Sequence, residues 1–113
     1  MKSLVLIIII TFYSTWCFGG NGSGKISRIY AHEKNNGDGV IMFAVEIHEN
    51  PPEACPGHEW AFDASTNTGK AMYSLLISAA IQKTPVVING AGDCGAWHDR
   101  ERPIWIKVEY GQW

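Results

Sequence analysis

The chain has 113 residues, and its 9 basic and 11 acidic residues give a formal net charge of −2. Domains usually contain about 100–150 residues, so this length excludes more than one ordinary domain. The charge excludes a basic nucleic-acid-binding surface. The composition, 46% hydrophobic and 18% charged, excludes a disordered chain.

The start of the chain has the layout of a secretory signal peptide. A positive residue precedes an apolar run over 4–12, and small residues follow it, so that cleavage after Gly19 would place Cys17 and Gly19 at the two positions that need small side chains. A membrane anchor is the alternative, but a span needs about 20 apolar residues, and this run has roughly half as many. We therefore predict a signal peptide at 1–19, a single domain at 20–113, a secreted or periplasmic location, and no membrane contact after cleavage.

Two cysteines, Cys55 and Cys94, remain after this cleavage. An exported protein meets an oxidising compartment, so these two residues are predicted to form a disulfide. The alternative is a metal site, because His58 and His98 lie close behind the two cysteines and complete a Cys₂His₂ set. The Cys-x-x-Cys spacing of zinc fingers is absent, however, and we predict neither a metal nor a cofactor.

The first half of the predicted domain has the pattern of three strands. Residues 20–24 are Gly, Asn and Ser only, which predicts a flexible lead-in. The segments 25–32 and 40–48 are rich in β-branched and aromatic residues, and the Asn- and Gly-rich turn at 35–39 predicts that they form a hairpin. The short alternating segment 59–63 predicts the third strand.

A change of hydrophobic period predicts a helix over 69–83, where apolar residues recur at helical spacing. Ile81 widens this apolar stripe, so we expect most of the helix surface to be covered. The segments 85–89 and 103–110 predict the last two strands. In the last strand, strict alternation places Ile104 on the same face as the two later aliphatic residues.

The predicted order is β-β-β-α-β-β, which is the order of an OB-fold. The sequence therefore predicts a mainly β protein of the α+β class. Its architecture would be a five-stranded OB-like small barrel with one helix between strands three and four. The predicted disulfide would join the loop before strand three to the loop after strand four.

The segment from Ser65 to Glu109 resembles a group of small exported bacterial proteins of mostly unknown function. A Ser/Thr-rich cap and Gly-Lys-Ala open the helix, a Pro-Val-x-Ile strand follows at 85–88, and Cys, Trp and a Glu-containing turn precede the last strand. More distantly, the helix, the turn at Thr84 and the strand at 85–88 are similar to the OB-fold binding (B) subunits of subtilase cytotoxin and the pertussis-like toxins. This resemblance implies binding to cell-surface glycans and assembly into a pentamer. It carries over no sugar-binding residue.

The densest charge cluster, at 98–102, follows Trp97 directly. One interpretation is a polar binding surface on which Trp97 stacks against a sugar, while Arg100 and Arg102 hold a carboxylate with forked hydrogen bonds. The other is a solvated turn in which Arg and Glu pair locally and Trp97 packs on the disulfide. Trp105 lies opposite the aliphatic face of the last strand and, if exposed, would mark a partner surface. The predicted ligand-binding residues are Trp97, Arg100, Arg102 and Trp105.

Catalytic signals are weak in this sequence. Glu46 and His48 have a spacing suited to acid–base chemistry, but no third orienting group is identifiable, so we predict a solvated strand face and no catalytic residue. The predicted function is a secreted or periplasmic non-catalytic binding module for a cell-surface glycan or a protein partner, able to form a homo-oligomer and binding no nucleic acid. The alternatives are an envelope protein with a structural or inhibitory role through protein contacts, and a small hydrolase or metalloprotein that uses histidines.

Overall fold

The computed structural model describes residues 19–34 and 36–110. Apart from Gly19, the predicted signal peptide lies outside the described residues. The predicted element order and the mainly β class are confirmed. In chain order the elements are β1 (Asn21–Glu33), β2 (Gly39–Glu49), β3 (Trp60–Asp63), α1 (Asn67–Gln82), β4 (Val86–Gly90) and β5 (Pro103–Val108).

The five strands form one antiparallel sheet in the order β3-β2-β1-β4-β5. The central strand β1 pairs with β2 along most of its length and with β4 through its first four residues. The sheet is not closed into a barrel, and in this respect it differs from the prediction. Near the two edges, one isolated parallel bridge joins Trp60 to Glu101. Since β3 has only four residues and Glu101 precedes β5, these edges have too little strand length facing each other to form a ladder.

The main hydrophobic core lies between the sheet and α1. The helix begins at the N-cap Thr66, whose hydroxyl accepts a hydrogen bond from the Gly69 N–H at 2.9 Å, and it ends at Lys83 in the left-handed conformation. The buried members of this core are Ile41, Phe43, Val45, Trp60, Phe62, Met72, Leu76, Ala79, Val86, Ile88 and Ile106.

The outer surface of α1 is more exposed than its apolar pattern predicts. The helix buries only Gly69, Met72, Leu76 and Ala79, whereas Ile81 is 77% exposed. The expected coverage of most of the helix is therefore wrong, because only one side of α1 faces the sheet. Neither α1 nor any other helix in residues 19–34 and 36–110 is long and apolar enough to cross a membrane.

The predicted flexible lead-in is instead the beginning of β1. Residues 21–24 pair with β4, and the first three of them also pair with β2, so this stretch lies between two strands. A side chain at Gly22 would begin 3.0 Å from the Trp60 indole nitrogen and 3.1 Å from the Ile88 methyl. The lack of a side chain at this position thus permits close packing against the core, and composition alone gave the wrong prediction here.

The exposed side of β5 differs from strict alternation at one residue. Asn89 pairs with Trp105 and Gly90 pairs with Pro103, so Ile104 is an extra residue in a bulge. Ile104 is consequently 53% exposed and not on the core face as predicted. Trp105 is 43% exposed, in agreement with its predicted position opposite the core.

Candidate functional site

A second, smaller apolar cluster, separate from the one that includes α1, supports the loop after β4. Its buried members are Val40, Met42, Ala61 and Ala96, and both Tyr30 and Trp97 pack against it. The predicted disulfide between Cys55 and Cys94 is confirmed, with the two Cα atoms 5.7 Å apart. It fixes the loop to the segment before β3, and the backbone hydrogen bond from Gly57 to Asp99 joins the same two segments.

Within this region the buried carboxylate of Glu59 forms hydrogen bonds with three side chains from distant parts of the chain. The Arg28 Nε atom lies 2.8 Å from one carboxylate oxygen. The other oxygen accepts from the Tyr30 hydroxyl at 2.7 Å and from Nε and Nη2 of Arg100 at 3.1 and 3.0 Å. We call these four residues the Glu59 cluster. It joins β1, the start of β3 and the loop after β4.

The carboxyl group of Glu59 is charged at neutral pH, while the Tyr30 hydroxyl in the same cluster is neutral. Burial raises the pKa of Glu59, but the hydrogen bonds from Tyr30, Arg100 and Arg28 outweigh burial and bring this pKa below its usual value. Burial raises the pKa of Tyr30, and the hydrogen bond to Glu59 raises it to a smaller extent, so the hydroxyl keeps its proton. Asp99 forms a further ion pair with Arg100. Two carboxylates therefore balance two guanidinium groups.

Arg28 is the member of the cluster that extends into solvent. Its side chain is 61% exposed, and only its Nε atom contacts Glu59. In residues 19–34 and 36–110 its two terminal nitrogens make no hydrogen bond to the protein. Guanidinium groups of this kind bind carboxylates with two parallel hydrogen bonds. Arg28 is thus oriented by a buried anion and retains two free donor nitrogens.

An aromatic pair lies on the same side of the sheet as this cluster. Arg28, Tyr30 and His32 pair in register with alternate residues of β2, so they share one face of β1. The ring of His32 lies 4.6 Å from the ring of the partly buried Trp97. We call the whole group, namely Arg28, Tyr30, His32, Glu59, Trp97 and Arg100, the Glu59 surface.

The structure places only two of the four predicted ligand-binding residues together. Trp97 and Arg100 are joined by an antiparallel bridge and both belong to the Glu59 surface. Arg102 instead forms a forked ion pair with Asp93, at 3.0 and 2.9 Å. Trp105 lies on β5, where Lys107 stands 5.9 Å from its ring. The four residues therefore do not form a single site.

A small cleft lies at the start of α1, apart from the Glu59 surface. Its volume is about 130 Å³, and Arg102 is the only one of the four predicted residues that lines it. Sites for drug-sized ligands usually measure about 300–1,000 Å³. The cleft therefore offers less room than such ligands need, and its basic residue is already paired with Asp93.

Glu46 and His48, whose spacing suits acid–base chemistry, each make a contact that stabilises the fold. The Glu46 carboxylate accepts the backbone N–H of Lys25 at 2.8 Å. His48 stacks on Trp60 with ring centroids 4.5 Å apart, and burial lowers its pKa. No group of three or more His, Cys, Asp or Glu residues suited to a metal ion occurs in the described part of the chain.

Sequence reasoning missed Arg28, Tyr30, His32 and Glu59 as site residues. The alternation of Arg28, Tyr30 and His32 along the first strand was an available signal for a polar face. The position of Glu59 beside the apolar strand Trp60–Asp63 was a second signal, since a charge at such a border needs a partner. Neither signal identifies Arg100 as that partner, because the contact spans 41 residues of sequence.

Comparisons with known protein families, curated proteins and solved structures found no match for this chain.

Proposed function

We propose that this chain is a secreted or periplasmic, non-catalytic binding module, and that its ligand is a glycan bearing a carboxylate. One observation carries the proposal. Arg28 is held through Nε by buried Glu59, and its terminal nitrogens, which form no hydrogen bond to the described residues, lie on the face that also presents Tyr30 and the Trp97–His32 pair. The guanidinium suits a sugar carboxylate, and an aromatic ring suits the C–H face of a sugar.

Preorganisation supports this choice of site. Binding costs less when the recognising side chains are already fixed. The buried carboxylate of Glu59 restrains Arg28, Tyr30 and Arg100, and the disulfide restrains the loop that carries Trp97. A ligand would therefore order few additional side chains.

Two further observations support export and glycan binding. The disulfide is typical of an oxidising compartment, as the signal-peptide layout at 1–19 also implies. The resemblance of the helix, the turn at Thr84 and the strand at 85–88 to toxin B subunits favours a cell-surface glycan as the ligand.

The test is a screen of the mature chain against acidic and neutral glycans, followed by affinity measurements on variants. Trp97→Ala is expected to weaken binding roughly tenfold or more, because it removes the aromatic platform. Arg28→Gln is expected to abolish the preference for acidic over neutral glycans. Trp105→Ala and Lys107→Gln are matched controls on β5 and should bind as the wild type does.

Measurements on the same proteins could also refute the proposal. Equal affinity of the wild type for acidic and neutral glycans would remove the role assigned to Arg28. Loss of binding in Trp105→Ala with full binding in Trp97→Ala would place the ligand on β5. Circular dichroism of each variant confirms that the domain remains folded.

The second candidate is an envelope protein that acts through protein contacts. Exposed apolar side chains on β4 and β5 favour it, since Val87, Ile104 and Trp105 are 37%, 53% and 43% exposed. A binding partner captured by the wild type, released by Trp105→Ala and retained by Trp97→Ala would support this function over glycan binding.

Self-association is part of the proposal. The outer side of α1 exposes Tyr73, Leu75 and Ile81, and the resemblance to toxin subunits implies a ring of copies. We expect light scattering after size exclusion to give a multiple of the monomer mass, and Ile81→Glu to return the chain to a monomer. A monomeric wild type at micromolar concentration would contradict this arrangement.

A further inference from the structure

Glu101 is a fully buried carboxylate whose charge has no basic partner among the described residues. Glu101 is 0% exposed. It forms no ion pair with any residue in 19–34 or 36–110. Among residues 19–34 and 36–110, only the backbone N–H groups of Gly20 and Gly92 donate to its side chain. Burying an unpaired carboxylate is costly, so this position calls for an explanation.

The nearest donor is the backbone nitrogen of Gly20, which lies 3.0 and 2.8 Å from the two carboxylate oxygens of Glu101. The single hydrogen of an amide must be shared between these oxygens. An α-ammonium group at the same nitrogen would have three hydrogens and a full positive charge, so each oxygen could accept its own charge-assisted hydrogen bond.

We infer that the mature chain begins at Gly20 and that its new α-ammonium group forms a buried ion pair with Glu101. The inference rests on the proposed export of the chain and does not depend on its ligand. Hydrolysis of the Gly19–Gly20 peptide bond adds water across it, giving a carboxylate on the released peptide and the ammonium on Gly20. Processing thus supplies a cation that the described residues of the precursor do not provide.

The packing around Gly20 supports a fixed chain start at this residue. Its carbonyl accepts the Gly90 N–H at 2.8 Å, so Gly20 is held on both sides of its Cα. A side chain there would begin 2.6 Å from a Glu101 oxygen and 2.7 Å from the Glu49 carbonyl, so only glycine fits. Chain ends are usually poorly ordered unless specific contacts hold them. The hydrogen bonds to the nitrogen and the carbonyl of Gly20 are contacts of this kind.

The end of β4 and the loop after it pack against the other side of the Glu101 carboxylate. A side chain at Gly90 would meet the Glu101 carboxylate directly, and the Gly92 N–H donates to it at 3.0 Å. Burial raises the pKa of Glu101, the hydrogen bonds from Gly20 and Gly92 oppose this, and the charge of Asp93 raises it further. An ammonium at Gly20 would favour the charged form of Glu101.

The first test is the identity of the chain start. The full chain is expressed with its own leader in a secreting host, and the exported product is analysed by intact mass and amino-terminal sequencing. The expected result is one start, at Gly20. An uncleaved product, or a start at any other residue, overturns the inference, whether or not the product binds glycans.

The second test is a double-mutant cycle on the charge pair. Chains that begin at Gly20 are compared with chains that carry a Ser-Gly-Ser-Gly extension before it, each with Glu101 or with Glu101→Gln. The extension is expected to lower the folding equilibrium constant roughly tenfold or more when Glu101 is present, and to have little effect with Glu101→Gln. An equal effect in both backgrounds overturns the inference.

A third measurement covers the case in which Glu101→Gln does not fold. In the chain that begins at Gly20, acylation of the α-amino group near neutral pH is expected to be roughly tenfold or more slower than in the urea-unfolded chain, since a buried, ion-paired ammonium is protected. Equal rates in the folded and unfolded chains would show a free terminus and overturn the inference.

Discussion

Replacing both Cys55 and Cys94 with Ala is expected to lower the free energy of unfolding by about 4 kcal/mol. The disulfide closes a loop with a sequence separation of 39 residues. The loop-entropy relation gives roughly 4 kcal/mol for a loop of this length, which is a large part of the stability of a small domain. Urea denaturation of the wild type and the double variant measures the difference.

Reduction provides the control for this experiment. Wild type treated with a reducing agent should lose the same stability as the double variant, which itself should not respond to reduction. We also expect glycan affinity to fall in the double variant under conditions where it is still folded, because Cys94 restrains the loop that carries Trp97 and Arg100. A loss of stability below about 1 kcal/mol would contradict the role assigned to this disulfide.

Replacing Glu59 with Gln is expected to lower the free energy of unfolding by about 2–3 kcal/mol. The change removes the acceptor charge shared by Arg28, Tyr30 and Arg100 while keeping the side-chain shape. Arg28 is largely exposed and can turn to water, which keeps the expected loss below that of a fully buried triad. Glu109→Gln is the matched control, since Glu109 pairs with Lys107 in solvent and its replacement should leave stability unchanged.

The Glu59 cluster also predicts a pH dependence of stability. The pKa of Glu59 lies below its usual value when the chain is folded, because the hydrogen bonds outweigh burial. Its contribution is therefore present above the ordinary glutamate pKa of about 4.3 and is lost as the pH falls through the lowered folded value. The stability gap between wild type and Glu59→Gln should close over this acidic range. A gap that stays constant into strong acid would contradict the charge as its cause.

Local patterns were sufficient to predict the order of the elements, because each strand and the helix have their own hydrophobic period. They were insufficient where a neighbouring element decides the outcome. Residues 21–24 form a strand because β2 and β4 flank them, which no local composition indicates. Barrel closure likewise depends on how far β3 and the segment around Glu101 overlap.

The candidate site was predicted only where its residues are close together in sequence. Trp97 and Arg100 are neighbours in sequence, and their types alone suggested a binding surface. Arg28 and Glu59 were missed because their roles arise from contacts between residues far apart in the chain. The charge cluster at 98–102 did not form local Arg–Glu pairs as one interpretation held, since Arg100 contacts Glu59 and Glu101 is buried.

The central claim is that the Glu59 surface binds a glycan through Trp97 and Arg28. The most direct test is an NMR titration of the isotope-labelled mature chain with the acidic glycan that binds best in the screen. The resonances followed are the indole N–H groups and the arginine Nε–H groups. We expect saturable shifts of the Trp97 indole and the Arg28 Nε–H, with the Trp105 indole unchanged. Shifts at Trp105 without shifts at Trp97 and Arg28 would contradict glycan binding at the Glu59 surface.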